Sequence, residues 1–378
     1  MNVVMLLSNP YRPDPRVKKE ASSLAKHGHK VTIVCWDRQN EFPSMESIDG
    51  IDVLRVAVHS DYAKGSRQVI DIPRFWYQAV NIVNKLNPDI VHCHDLDTTP
   101  VGYYYARQNK IPWIYDAHEC YPEQMKQQVG PIIYQLLLRL GSFMAHRANK
   151  IITINELLAD YFRELGGDVS IVGNYQPLII NINTTLLSRA EIGIAEEEYV
   201  VAYIGGFTAE RAITPLIEAT ELNKNVSVML VGDGSQRTSI MELLHSRSRV
   251  RYMGWIAQDK VEQYFRLADV IYYGLYDSSG NSRFSSPNAL FHAMQFGKPV
   301  ITTDIGEIAD IVRKENSGLV IEQPTAPLIA QAMNELYDQK LRQKLGSNGR
   351  RAAETKYNWA VSEKSLLSVY KNLEFISP

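Results

Sequence analysis

The sequence predicts an α/β protein built from two doubly wound, Rossmann-like domains with a cleft between them. Three observations carry that expectation. Short runs rich in β-branched residues alternate with longer segments of helical period, the pattern of parallel strands joined by crossover helices. The chain has 378 residues, more than one ordinary core holds at about 100–200 residues per domain. The alternation is interrupted once, by a polar stretch from Asn181 to Glu198 that ends in three glutamates, and then resumes in kind. Residues 1–180 are therefore expected to form the first domain and residues 181–356 the second, with that stretch as linker.

The elements follow in order. The apolar start Val3 to Leu7 has no basic flank and stops at Ser8-Asn9-Pro10, too short for a signal peptide or a spanning helix, so it reads as the first strand, residues 2–7. Arg16 to His27 places Val17, Ala21, Leu24 and Ala25 at helical spacing and ends at Gly28. Further strands are expected at 30–35, 52–57, 89–93, 112–115 and 150–154. The second series runs through 199–204, 226–231, 250–253, 270–273, 299–303 and 319–321. A terminal helix, Asn358 to Leu373, follows, and the residue pattern alone assigns it to neither domain.

Composition narrows the function classes. A hydrophobic content of 45% and a formal charge of −2 describe a soluble globular chain and argue against bulk nucleic-acid binding. Cys35, Cys93 and Cys120 are too few for a disulfide framework and lack zinc-ligand spacing, which fits a reducing cytoplasm.

Doubly wound domains bind ligands at the carboxyl ends of their strands, where helix N-termini converge. Several stretches fall there. In Ser285-Ser286-Pro287-Asn288-Ala289-Leu290, Ser286 is expected to cap a helix with Pro287 in its first turn. The exposed N–H groups of Asn288 and Ala289 would favour an anion by about 0.3–1 kcal/mol. An ordinary capped helix explains the same residues. Gly205-Gly206 follows a strand and lets a ligand approach the backbone, or simply makes a tight turn. Arg211, five residues on, offers a bidentate cation for a diphosphate, or is merely solvated. Asp116-Ala117-His118-Glu119 places titratable groups beyond a strand, unless Asp116 caps a helix and His118 is a surface residue.

Two further stretches are less specific. In His92-Cys93-His94-Asp95 the two histidines share one strand face and the cysteine points away, a poor metal-ligand set, although His94 and Asp95 suit the cleft. Between Lys126 and Lys150 lies a basic amphipathic segment, with Arg139, His146 and Arg147, that suits an anionic membrane surface as well as it suits a core with a solvated edge.

Taken in order and at their spacing, Arg16 to Glu20, His92 to Asp95, Asp116 to Glu119, Tyr203 to Arg211, Gly232-Asp233-Gly234, Gly254, Ala268 to Val270 and Ser286 to Val300 resemble glycosyltransferase family 4, of the two-domain fold called GT-B. The resemblance covers nearly the whole chain. It implies retaining transfer of a sugar from a nucleotide-sugar donor, UDP- or GDP-linked, to a glycan or lipid-linked acceptor, without a metal ion or other cofactor. It also implies that the last helix, about 357–378, returns to the first domain. His118 matches the histidine that contacts the transferred sugar, and Arg211 the basic residue on the diphosphate. Gly205, Gly206, Ser285, Ser286, Asn288, Ala289 and Leu290 match donor-binding positions.

The chain also departs from the family. The family commonly carries two glutamates eight residues apart, one near the sugar and one on the ribose hydroxyls; here Phe284 and His292 occupy those positions. Gly206 stands where an arginine is usual. A carboxylate accepts from both ribose hydroxyls at once, whereas neutral imidazole has one acceptor nitrogen. Losing one such bond costs about 1.5–3 kcal/mol. Two readings follow: a cytoplasmic, membrane-peripheral glycosyltransferase of cell-surface polysaccharide synthesis with an altered donor site, or a non-catalytic subunit that keeps the fold.

Overall fold

A computed structural model describes the whole chain except residues 13, 61–64, 180–186, 246, 278, 279, 281 and 375–378. It divides into two units, Met1–Asn174 with Ser362–Pro378, and Tyr175–Val361. The expected break at 180/181 compares with one at Asn174/Tyr175, and part of the expected linker lies outside the described residues.

In the first unit β1 (Asn2–Leu7) leads through α1 (Pro15–Lys26) to β2 (Lys30–Asp37), a short β3 (Met45–Ile48) and β4 (Ile51–Ala57). Then come α2 (Gly65–Leu86), β5 (Ile90–His94), α3 (Thr99–Asn109), β6 (Trp113–Ala117), α4 (Tyr121–Met125), α5 (Pro131–Arg147), β7 (Lys150–Thr153), α6 (Glu156–Glu164) and β8 (Val169–Ile171). The strand order is β3-β4-β2-β1-β5-β6-β7-β8. Every pairing is parallel except β3 on β4, so the interior strands β1, β5 and β6 are buried on both faces; β1 is an apolar run after Asn2, whereas β5 and β6 carry His92, His94 and Asp116 into the interior. Asp14 starts α1 by accepting the Val17 N–H at 3.1 Å.

The second unit repeats the scheme. It runs β9 (Tyr199–Ile204), α7 (Ile213–Leu222), β10 (Val226–Val231), α8 (Arg237–Leu244), β11 (Val250–Gly254), α9 (Gln258–Leu267), β12 (Val270–Tyr273), α10 (Asn288–Gln295), β13 (Val300–Thr303), α11 (Gly306–Lys314), β14 (Gly318–Ile321), α12 (Ala326–Glu335) and α13 (Gln339–Thr355). The order is β11-β10-β9-β12-β13-β14, all parallel. The chain thus reverses its winding between β9 and β12, and in the first unit between β1 and β5. Such switch points open a crevice at the strands' carboxyl ends.

The last helix, α14 (Trp359–Glu374), starts in the second unit and from Ser362 onward belongs to the first. Within the first unit Ser362 donates to the Gly173 carbonyl at 2.8 Å. The strands the sequence did not predict are β3 and β8, of four and three residues. Neither is long enough to show an alternation.

Candidate functional site

The carboxyl ends of β5 and β6 carry the chemistry of the first unit. Strand β6 runs to Ala117, so Asp116 lies inside the sheet and is fully buried; it is not a helix cap. Arg16, the second residue of α1, reaches it with its guanidinium at 2.9 and 3.2 Å and pairs with Glu20 at 3.0 Å. On the shared face of β5, His92 and His94 stack at 4.4 Å, and each points a ring nitrogen at Asp116, at 3.4 and 3.3 Å. Tyr370 of α14 shares a 2.7 Å hydrogen bond with His92 Nδ1. His118, just past β6, closes the cluster with Nε2 3.3 Å from Asp116.

Burial decides the charge states. It would raise the Asp116 carboxyl, yet Arg16 and His118 outweigh it and hold Asp116 well below the ordinary carboxylate range. Burial pushes Glu20 up and both His92 and His94 down, toward their neutral forms. For His118 burial pulls down, but Asp95 and Asp116 prevail and raise it to about 10.

Glu20, His92, His94 and Asp116 bring potential ligand atoms within 4.8 Å of one another. A permanent cation already lies among them, because Arg16 binds both carboxylates. The four residues therefore compose an ion network around a guanidinium, and the donor set does not suit a further cation. His94, which the sequence directed toward the cleft, is buried.

A second feature of this unit gave no sequence signal. A cavity of about 320 Å³ at the ends of β1 and β2 is lined by Asn9, Asp37, Arg38, Gln39 and Phe42 among others. Arg38 lies over the Trp36 ring at 4.0 Å, and the Asp37 carboxylate accepts the N–H groups of Glu41 and Phe42 at 3.2 and 2.9 Å. These residues are unremarkable in sequence, and only the parallel pairing of β1 with β2 brings them together.

In the second unit the site is built mostly from backbone. Gly205 and Gly206 leave β9, and the Gly205 N–H donates to Val231. The next strand-end loop is packed so closely that a Cβ on Gly232 would lie 1.9 Å from the Gly205 carbonyl oxygen. Gly232, at φ +140°, is thus glycine for packing and conformation together. At Gly206, by contrast, a Cβ would meet only Thr208 at 4.0 Å. The fold leaves that position open.

Arg211 is carried to the end of β12 by an antiparallel bridge with Leu275, and its guanidinium lies over the Tyr273 ring at 4.7 Å. Nothing local in the residue pattern marks Tyr273 as its support. Together these place Arg211 at the β9/β12 switch point.

The helix after β12 differs from the sequence expectation at its first residue. Pro287, not Ser286, occupies the cap position, and no side chain caps α10. Ser286 instead donates to Glu307 at 3.2 Å, since the extended Pro287 backbone carries its hydroxyl away from the helix axis. Asn288 is exposed, and its side-chain oxygen accepts from Gln176 at 3.0 Å.

Phe284, Ala289 and Leu290 are buried, Arg283 covers the Phe284 ring at 4.7 Å, and the Leu290 N–H is spent on Pro287. Ser285 is half-buried and its N–H pairs with Ser282. His292, four residues after Asn288, is half-buried and stacks on Phe265 of α9 at 5.1 Å. A glutamate there could not make that stack.

Comparisons with known proteins agree with this fold. A family model described as Glycosyltransferase Family 4 matches residues 16–174, and one described as Glycosyl transferases group 1 matches residues 198–339. An uncharacterized glycosyltransferase of Methanocaldococcus jannaschii is 22% identical, over 93% of this chain and 92% of its own. Among solved structures, a sucrose-phosphate synthase from Thermosynechococcus elongatus superposes with a TM-score of 0.83 at 20% identity, covering all of both chains. Anabaena HepE in complex with UDP-glucose superposes at 0.73 and 15% identity, over 98% of this chain and all of its own. With two doubly wound sheets, strand-end sites in each and both family models in register, the chain belongs to glycosyltransferase family 4 and has the GT-B fold.

Proposed function

We propose that this glycosyltransferase is a retaining enzyme that moves a hexose from a UDP- or GDP-linked donor to a glycan or lipid-linked acceptor in cell-surface polysaccharide synthesis. The observation that carries the donor half is the placement of Arg211 and the Gly205–Gly206 backbone at the β9/β12 switch point. Arg211 and the uncapped start of α10 would stabilise the charge that develops on the departing diphosphate, a role for fixed dipoles and cations rather than for a metal or other cofactor. The match to HepE, whose structure holds UDP-glucose, supports a nucleotide sugar. No nucleophile is assigned, and His118 would act on the sugar from the first unit.

The acceptor half is supported by the cavity at Asn9, Asp37, Arg38, Gln39 and Phe42. Planar polar groups beside an aromatic ring suit the hydroxyls and the apolar face of a sugar. Peripheral membrane contact is supported by α5, which buries only Gly141, Met144 and Ala145 and exposes Ile132, Leu136 and Phe143 beside Arg139 and Arg147. Among the described residues no helix is long and apolar enough to cross a membrane.

The test is a panel of UDP-, GDP- and TDP-sugars offered to the purified protein. At least one is hydrolysed or transferred, and Arg211→Ala lowers that rate by about 10²–10³-fold. Neither turnover nor nucleotide binding with any of them overturns the reading and leaves the non-catalytic subunit. Retention of the protein on vesicles containing anionic lipid, lost with Leu136→Glu, checks the membrane contact; no retention by the wild type removes it.

A further inference from the structure

We infer that Asp95 is a positioning residue that, together with Asp116, holds His118 as an imidazolium with a carboxylate beside each ring nitrogen. His118 would then meet the sugar as a fixed positive charge, not with a ring nitrogen acting as base. The inference rests on reading His118 as part of the transferase site.

The geometry begins with one carboxylate that makes two contacts. Asp95 Oδ1 accepts the backbone N–H of His118 at 3.1 Å, and Oδ2 faces the ring Nδ1 at 3.5 Å. Main chain and side chain of His118 are thus fixed by the same group. Asp95 reaches this position by leaving β5 at φ +61°, a left-handed conformation that L residues avoid and that aspartate tolerates better than most. Three hydrogen bonds hold the turn there: its N–H donates to the Asp116 carbonyl at 2.8 Å, and its own carbonyl accepts from the Thr98 N–H and hydroxyl at 3.4 and 3.2 Å. Backbone held in so sparsely populated a region marks a site that the surroundings over-determine.

The opposite edge of the ring is equally engaged. His118 Nε2 lies 3.3 Å from Asp116 Oδ2 and 3.1 Å from His94 Nδ1. Two ring nitrogens that close need one proton between them. With His118 doubly protonated, its Nε2 donates between the Asp116 carboxylate and Nδ1 of the buried, neutral His94. With Nε2 protonated and Nδ1 facing Asp95, the second proton of an imidazolium has a carboxylate waiting for it.

The charged groups around the ring are Asp95 beyond β5, Asp116 and the following Glu119 from β6 and its loop, Arg16 and Glu20 from α1, and neutral His94 from β5. The two aspartates outweigh the distal guanidinium. Burial raises Asp95 to about 7, against the His118 charge that lowers it, so the proton shared along that edge rests on the histidine at neutral pH. Because the folded-state value of His118, about 10, exceeds the ordinary value of about 6.5, its contribution to stability is complete below about pH 6.5. It is lost as pH rises toward 10.

The deciding measurement is a ¹⁵N NMR titration of the imidazole nitrogens of the full chain, with the His118 signals assigned by their loss in His118→Gln. Both ring nitrogens are expected to stay protonated to about pH 9, and Asp95→Asn, which tolerates the same backbone, should lower the midpoint by at least about one unit. The same variant should reduce kcat about 10²-fold with little change in KM for donor, and move the alkaline limb of the rate profile to lower pH. A wild-type midpoint near 6.5, or a midpoint that Asp95→Asn leaves in place, overturns the inference. Should Asp95→Asn fail to fold, the wild-type titration decides alone. A chain inactive toward every nucleotide sugar would remove the transferase reading without touching the titration result.

Discussion

The two strand-end sites solve the same problem with opposite materials. Around His118 the first unit gathers titratable side chains from α1, β5 and β6, closed by the neutral Tyr370 hydroxyl of α14, and buries nearly all of them. Around Arg211 the second unit offers glycine loops, an uncapped helix start and one half-buried cation lying on a tyrosine ring. A ligand that brings its own charge needs donors that are already oriented, and backbone N–H groups supply these without a desolvated ion. A site that supplies charge must instead store it, and stored charge survives burial only when paired. The first unit therefore carries its electrostatics as folding energy, and the second keeps its donors and its cation at strand and helix ends.

Breaking the stored network should have the largest effect. Arg16→Leu leaves Asp116 buried without its main counter-charge and is expected to cost about 3–5 kcal/mol of stability. Chemical denaturation measures it, and an unchanged midpoint would show that the network holds little energy. In the second unit, Gly232→Ala tests packing in place of charge. Its Cβ must displace the Gly205 backbone, at about 1–3 kcal/mol, and nucleoside diphosphate affinity should fall with stability, since the same loop serves both. Retained affinity in a destabilised Gly232→Ala protein would separate the loop from the donor site.

The smallest expected effect belongs to His292→Glu. It sacrifices the stack on Phe265, worth about 0.5–1.5 kcal/mol, and offers the ribose a second acceptor. Calorimetry with UDP or GDP should show binding about tenfold tighter. Weaker binding would mean that the imidazole already makes the ribose contact and that the comparison with a glutamate site misleads.

How much of this was legible in the sequence depended on whether the signal was local. Strands such as 199–204 and 226–231 matched their observed limits because a buried parallel strand is written into consecutive residues. The glycine pairs and Ser285 to Leu290 were legible for the same reason, although the cap moved by one residue and Ser286 turned to Glu307. The ion network was not, because Arg16 meets Asp116 across 100 positions and His92 meets Tyr370 across 278. No periodicity connects such residues; the order of the strands in the sheet does. His292 was recognised as a departure from the family, but Phe265, which gives the imidazole its place, lies on another helix.

The bond between Tyr370 and His92 also bears on how the chain is made. Most of the first unit emerges in synthesis before the second, yet its buried β5 histidine takes its partner from α14, after every residue of the second unit has been translated. Until then His92 lacks the Tyr370 hydroxyl that is its Nδ1 partner. A chain shortened before Tyr370 would keep every residue proposed for transfer and still lack the hydroxyl that closes the first unit over its own charges.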